Sequence, residues 1–281
     1  MYYIIQENLF KEYHYNTLVE YLNRYGLEHE TVPFRPFTDE LVFKTNRKDV
    51  FFFGSVNGAK VAEKYNWNPG TLFNDSHDFE VYGPKYGKHL LNWNYVIQKA
   101  SEPLPLQMPE YFFARPAKDT KSFSGSVFSK GAWEEYVTEL QATSTIGQLD
   151  AETKILFAPM KSGIQQEIRC WIVDGEPVTM SQYKIGERVV YQNHDNNEEA
   201  YIFAKDMCKL FCPAKAFVLD ICLYQDEYKV VEINCINCSG FYDGNMSKLI
   251  QALEKTFGKD ELPENNRSME IVNQVFKDRK Y

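Results

Sequence analysis

Residues 217–244, "FVLDICLYQDEYKVVEINCINCSGFYDG", read as two apolar strands joined by a polar turn. Val, Ile, Leu, Phe and Tyr, residues that fit a pleated sheet, fill both arms, and "QDE" at 225–227 interrupts them. Asp220, Glu232 and Asn234 stand out as polar residues inside these runs. With the turn centred on Asp226, antiparallel pairing sets Asp220 opposite Glu232, and directly opposed side chains leave the sheet on the same face. Asn234, two residues beyond Glu232, shares that face. Facing carboxylates repel unless a cation lies between them. An oxygen set of Asp, Glu and Asn suits a hard ion such as Mg²⁺, which keeps waters and takes phosphate oxygens as its other ligands. The competing reading is a solvated sheet face carrying ordinary polar residues.

Outward from this hairpin, "QQEIRCWIVDGEPVTMSQYKIG" (165–186) predicts a second hairpin turning at Asp174-Gly175. "TKILFAPM" before it and "RVVYQN" after it add strands to what reads as an antiparallel sheet. Glu167, Arg169 and Trp171 alternate and so share one face. A Glu-x-Arg pair of this kind serves either as a structural ion pair or as a ligand contact. "NEEAYIFAKDMCKLFCP" and "MSKLIQALEKTFG" predict helices, the first capped by Asn197 and the second stopped by Gly258. Further upstream, "YFFARP" is a strand closed by Pro116, "AKDTKSFSGSVFSK" a Ser/Gly-rich loop leading to a short strand, and "SKGAWEEYVTELQ" a helix capped by Ser129. Arg115, between an apolar strand and a proline, needs an anionic partner, which phosphate or a structural carboxylate supplies. Lys121 lies in the Ser/Gly loop, where a lysine has few packing roles.

The first hundred residues alternate differently. "YYIIQEN", "LEHETVPF", "DVFFFGSV" and "GTLFND" predict strands, with helices at "YNTLVEYLNRYG" and "NGAKVAEKYN", so a small, mainly parallel α/β domain is expected over 1–105. "GSVNGAK" is either a phosphate loop of unfamiliar spacing or a plain turn. Proline-rich "ASEPLPLQMPE" (100–110) reads as a linker to a second region, 111–258. Residues 259–281 form a tail with one amphipathic segment around Met269, Ile271, Val272, Val275 and Phe276.

Composition sets outer limits. A net charge of −8 disfavours a broad nucleic-acid surface, which would leave a basic footprint. No run is long and apolar enough to span a bilayer and the N-terminus lacks secretory features, so a cytoplasmic location without membrane partners is expected. Cys208, Cys212, Cys235 and Cys238 imitate the spacing of a four-thiolate zinc site, although the first two also fit a helix's apolar stripe.

"FFARPAKDTKSFSG", "QQEIRCWIVDGEPVTMSQYKIG", "VLDICLY" and "VVEINCINCSGFY" follow one another at a spacing that resembles the ATP-grasp superfamily, and within it the phage and bacterial clade named for one arginine and two lysines. The resemblance covers roughly residues 111–256. It implies an ATP-grasp fold, mixed α/β and α+β, behind a pre-ATP-grasp-like N-terminal domain. It implies Mg²⁺ on Asp220, Glu232 and Asn234. It also implies ATP held by Arg115, Lys121, Glu167 and the backbone of Ala158 to Met160, with Arg169 and Lys184 facing phosphates or a substrate carboxylate. Arg115 stands where many members carry lysine, and Lys99 is a candidate for the superfamily's other upstream lysine. The activity implied is ATP-dependent ligation of a small-molecule or peptide carboxylate to an amine through an acyl phosphate, forming ADP. Repair or modification of nucleic-acid ends, and a catalytically silent nucleotide-binding module, are the alternatives. The sequence leaves the substrates and the oligomeric state open.

Overall fold

A computed structural model of the chain describes residues 1–9, 12–35, 37–118, 123–142 and 151–258; the amphipathic segment expected in 259–281 lies outside the described residues. The chain opens with β1 (Tyr2–Gln6), α1 (Glu12–Arg24), β2 (His29–Val32), the ribbon β3 (Phe34–Arg35) and β4 (Glu40–Leu41), β5 (Val50–Phe53) and α2 (Val56–Ala62). Next come α3 (Phe79–Tyr86), β6 (Val96–Lys99), β7 (Tyr111–Pro116), β8 (Ser126–Ser129), α4 (Lys130–Ala142) and β9 (Lys154–Pro159). The last stretch holds β10 (Ile164–Val173), β11 (Glu176–Ile185), β12 (Arg188–Asn193), α5 (Glu198–Leu210), β13 (Ala216–Tyr224), β14 (Glu227–Cys235) and α6 (Met246–Phe257).

Three larger sheets follow from this order, beside the two-stranded β3-β4 ribbon. β2-β1-β5 is parallel, and both its faces are buried: Ile4, Val50 and Phe52 pack on α2, while Tyr3, Ile5, Phe51 and Phe53 pack against α1 and α6. Because both faces are covered, "VFFF" can be apolar at every position. β6-β9-β7-β8 is antiparallel and is covered by α4 through Trp133. β12-β11-β10-β13-β14 is also antiparallel; α3 and α5 cover one face, and the other shares the α1–α6 core with the N-terminal sheet. Among the described residues no helix is long and apolar enough to cross a membrane.

Several elements differ from expectation, among them helix α3 and strand β4, which were not expected. β6, unforeseen, lies just before the proline-rich stretch and pairs with β9. "GTLFND" forms no strand beyond a single bridge between Gly70 and Phe51. The reason is the fully buried Asn237, just past β14. Its amide donates to the carbonyls of Phe52 (2.6 Å) and Gly70 (3.3 Å), and its Oδ1 accepts the amide of Leu72 (2.8 Å), so a side chain takes the bonds that a fourth strand would have made. The "GSVNGAK" turn is likewise occupied by protein: Ser55 caps α2 by accepting the Gly58 amide, and a Cβ at Gly58 would lie 2.6 Å from Gln6 Oε1.

Asn237→Ala leaves the Phe52 carbonyl and the Leu72 amide without this partner, while the Gly70 carbonyl keeps the Phe52 amide (3.0 Å), and unsatisfied buried groups of this kind lower stability by about 2–4 kcal/mol in total. Urea denaturation checks this; an unchanged midpoint would show that Asn237 does not join the sheets.

A second tie carries a pH signature. Asp195 Oδ1 accepts from Thr179 Oγ1 (2.8 Å) and the Met180 amide (2.7 Å) of β11, and Oδ2 pairs with Lys248 of α6 (2.6 Å). Burial pushes the carboxyl up, but Lys248 and the two hydrogen bonds outweigh it and hold its pKa below the ordinary carboxylate value. With the folded value depressed, this stabilisation is complete above the unfolded pKa of about 4 and is lost as pH falls through the folded value. Denaturation midpoints measured across that acid range should fall less steeply for Asp195→Asn than for the wild type, and equal slopes would discount the tie.

Candidate active site

Between the four-stranded and five-stranded sheets lies a cleft of about 900 Å³, in the size range of sites that hold a whole small ligand. Residues 160–163 connect β9 to β10 and so pass from one wall to the other, with Gly163 in the left-handed region (φ 80°) where the chain turns. Phe113 and Arg115 of β7 face the cleft from one side; Glu167 of β10, Lys184 of β11 and Glu232 of β14 face it from the other.

Glu232 reaches the cleft through a bulge. Gln225 and Asp226 form a tight two-residue turn with φ of 52° and 61°, so Tyr224 pairs with Glu227 and Ile221 with Val230. Continued unbroken, that register would put Glu232 opposite Leu219, on the apolar face. The register shifts between Asp220 and Ile221, Val231 becomes the extra residue, and Glu232 falls opposite Asp220. The expected pairing is observed, but a bulge produces it rather than a turn centred on Asp226.

Around this pair the charges form a row. Arg169, opposite Asp220 on β10, donates to both of its oxygens (Nε to Oδ1 2.9 Å, Nη2 to Oδ2 2.8 Å). Asn234 donates to Asp220 Oδ2 (3.1 Å) and Glu232 Oε1 (3.0 Å), and Arg115 donates to Glu232 Oε2 across the cleft (2.5 Å). Asp220 is 1% exposed and Arg169 7%, whereas the Glu232 side chain is 28% exposed. Burial alone lowers the Arg169 pKa, but the Asp220 carboxylate more than offsets this and keeps the guanidinium charged. The Tyr242 ring lies 4.4 Å from that guanidinium, and Nη1 donates to the Gly240 carbonyl (3.3 Å), so Arg169 also holds the loop after β14.

A second bulge shapes the neighbouring wall. Glu167 pairs with Lys184 but Ile168 with Gln182, so Tyr183 and Lys184 together oppose one residue. Both then reach Glu167: the Tyr183 hydroxyl donates to Oε2 (2.7 Å) and Lys184 Nζ to Oε1 (2.8 Å). Lys161, not foreseen, adds a cation at the crossover, where its Nζ donates to Asn94 Oδ1 (3.1 Å) and burial lowers its pKa. Its setting, a lysine followed by Ser-Gly in a loop, is akin to the Ser/Gly loop that singled out Lys121.

Of the expected site residues, Arg115, Met160, Glu167, Lys184 and Glu232 line the cleft. Arg169, Asp220 and Asn234 form the layer behind Glu232, and Ala158 is buried in strand β9 opposite Phe113. Lys121 lies outside the described residues; Lys118 and Phe123, on either side of it, line the cleft. Lys99 does not face the cleft: it pairs with Glu152 (2.7 Å) on the exposed edge strand β6. Cys208 packs in the α5 core and Cys238 in the α2 core, so the four cysteines do not converge on one metal site.

Arg169→Met leaves the Asp220 carboxylate buried without its partner and should destabilise the protein by about 3–5 kcal/mol. Adding Asp220→Leu removes the orphaned charge and should recover most of that loss. Chemical denaturation of both variants checks the pair, and a single variant as stable as the wild type would show that the ion pair is not structural.

The fold is shared with enzymes of known structure. A crystal structure of D-cycloserine synthetase DcsG superposes with a TM-score of 0.62 at 13% identity, covering 90% of this chain and 98% of that one. D-alanine–D-alanine ligase from Bacillus anthracis gives 0.54 at 12% identity, covering 99% of each chain. ATP-grasp ligase PsnB complexed with a minimal precursor gives 0.56 at 12%, covering 91% and 98%. No curated protein matches the chain by sequence. The model of an ATP-grasp domain, family 3 of the clade named for one arginine and two lysines, matches residues 60–253, reaching well upstream of residue 111, where the resemblance read from the sequence began. The chain therefore belongs to this third ATP-grasp domain family of the arginine-and-two-lysines clade.

Proposed function

We propose that the protein is an ATP-dependent ligase that joins a carboxylate to an amine through an acyl phosphate, releasing ADP and phosphate. One observation carries this reading: in an ATP-grasp chain, two opposed sheets bring Arg115, Lys184 and Glu232 to a single cleft of nucleotide size. Solved structures of the same fold support it, including the Bacillus anthracis ligase complexed with ATP and PsnB complexed with a minimal precursor, Mg and ADP.

The donor set fits Mg²⁺. Glu232 opens to the cleft, and Asn234 bridges it to Asp220. Asp220 keeps lone pairs beyond the two that Arg169 engages, and an amide turned about its terminal bond presents oxygen in place of nitrogen. Asp220, Glu232 and Asn234 would hold Mg²⁺, which would supply charge stabilisation at the phosphate oxygens. The rest is done by the chain. Arg115 and Lys121 hold phosphate, the first as a planar fork and the second as a point charge. The backbone of Ala158 to Met160 reads the base. Glu167 orients Lys184 towards the transferring phosphoryl group, and Arg169 acts behind the cleft as a positioning residue for Asp220. The two walls exclude water while a carboxylate oxygen attacks the γ-phosphorus and the β–γ bond breaks to release ADP. The amine then attacks the acyl carbon, phosphate leaves, and the nitrogen gives up a proton.

Small molecules and peptides are the substrate classes favoured by the fold relatives, which include D-cycloserine synthetase DcsG and PsnB complexed with precursor peptide PsnA2. The N-terminal sheet shares the α1–α6 core with the five-stranded sheet, and the N-terminal region, residues 1–105, is proposed to complete the acceptor side next to the ATP-grasp region at 111–258.

Incubation with ATP, Mg²⁺ and pooled carboxylates and amines should yield ADP and phosphate in step with ligated product; AMP and pyrophosphate would overturn the proposal. Glu232→Gln should lower turnover about 100-fold or more with the fold intact. Unchanged turnover would remove Glu232 from the site.

A further inference from the structure

The Arg115–Glu232 contact spans the cleft, from β7 on one wall to β14 on the other, and neither side chain is highly exposed (17% and 28%). It places a guanidinium on the carboxylate that the Mg-nucleotide reading assigns to the metal. Asp220, the second carboxylate, is already held by Arg169. Among the described residues this cluster pairs two anions with two cations, so these four charges are matched before any ligand arrives. A bare divalent cation entering here would add two positive charges beside two guanidiniums, with little solvent to screen them. Mg²⁺ also gives up water reluctantly. Glu232 Oε1 is engaged as well, by Asn234.

A nucleotide changes this balance, because its phosphate oxygens offer Arg115 a planar, bidentate anionic partner at least as good as a carboxylate. As Arg115 moves to phosphate, Glu232 is released to the cation that the same nucleotide carries.

We propose that Arg115 gates the metal position, so that the site takes the metal–nucleotide complex and rejects the free divalent cation. The gate rests on the Mg-nucleotide reading above and adds a binding rule to it. Metal and nucleotide then strengthen each other's binding by one common factor, as linkage requires, and Arg115 is the residue that sets this factor.

Mn²⁺ serves as the paramagnetic stand-in for Mg²⁺, with the loss of its free-ion signal reporting binding to the full chain without nucleotide. The wild type should bind Mn²⁺ weakly on its own, and Arg115→Gln should bind it at least tenfold more tightly. Arg115→Lys, which keeps the charge, should stay near the wild type, and adding Glu232→Gln to Arg115→Gln should abolish the gain. Arg115→Met, which keeps the aliphatic stem, replaces Arg115→Gln if the latter does not fold. In parallel, dialysis of a non-hydrolysable ATP analogue with and without Mn²⁺ should show at least tenfold enhancement by the metal in the wild type and a smaller factor in Arg115→Gln. Wild-type protein that binds Mn²⁺ alone as tightly as Arg115→Gln overturns the gate while leaving the nucleotide reading intact. Failure of the wild type to bind the analogue even with Mn²⁺ present overturns that reading, and the gate falls with it.

Discussion

A carboxylate that is 1% exposed must be compensated, and Asp220 sets this condition at the centre of the chain. Burial pushes its carboxyl up, and a bidentate guanidinium from the adjacent strand opposes this and ties the register of β10 to that of β13. The same guanidinium holds Gly240 and lies over Tyr242, so the loop that leads from β14 towards α6 is positioned by the same charge. Asn234 and Glu232 continue the row to the cleft, where Arg115 arrives from the other sheet. A single buried anion thereby links the antiparallel sheet, the loop behind it and the cleft in front.

Two bulges adapt regular strands to this task. A strict period of two would leave Glu232 among apolar residues and would point Tyr183 and Lys184 to opposite faces. One extra residue in β14 and one in β11 re-aim these side chains without ending the ladder. Bulges weaken pairing locally, and here the ion pairs across the strands compensate. Among the described residues the cations of the cleft, Arg115, Lys118, Lys161 and Lys184, come from both walls and from the crossover between them, so a molecule with several anionic oxygens would meet partners on several sides.

Much of the fold was legible because the periodicities are clean. Alternation over 165–186 and 217–235, a left-handed Asp174-Gly175 turn, and Asn197 at a helix start are local signals that local physics decides. The misses share a cause. "GTLFND" has the composition of a strand, yet its amide at Leu72 is taken by Asn237, 165 residues away. β6 has an ordinary sequence and exists because β9 offers it an edge. Lys161 carried a usable signal, a lysine placed between an apolar strand and Ser-Gly, but what makes it a cleft residue is that the crossover faces the void between two sheets.

The sequence by itself determined most element types, the antiparallel hairpin and membership of the ATP-grasp family, since these rest on local propensity, period and ordered motifs, whereas the opposition of Asp220 and Glu232 needed a bulge that the period does not carry. Tertiary structure decided which polar residues face the cleft and which lie buried behind it. Arg169 and Arg115 are the same residue type on neighbouring motifs, yet one is buried against Asp220 and the other reaches across the cleft to Glu232. That division depends on how far each sheet face is removed from water, a property of the assembled layers that no run of residues carries.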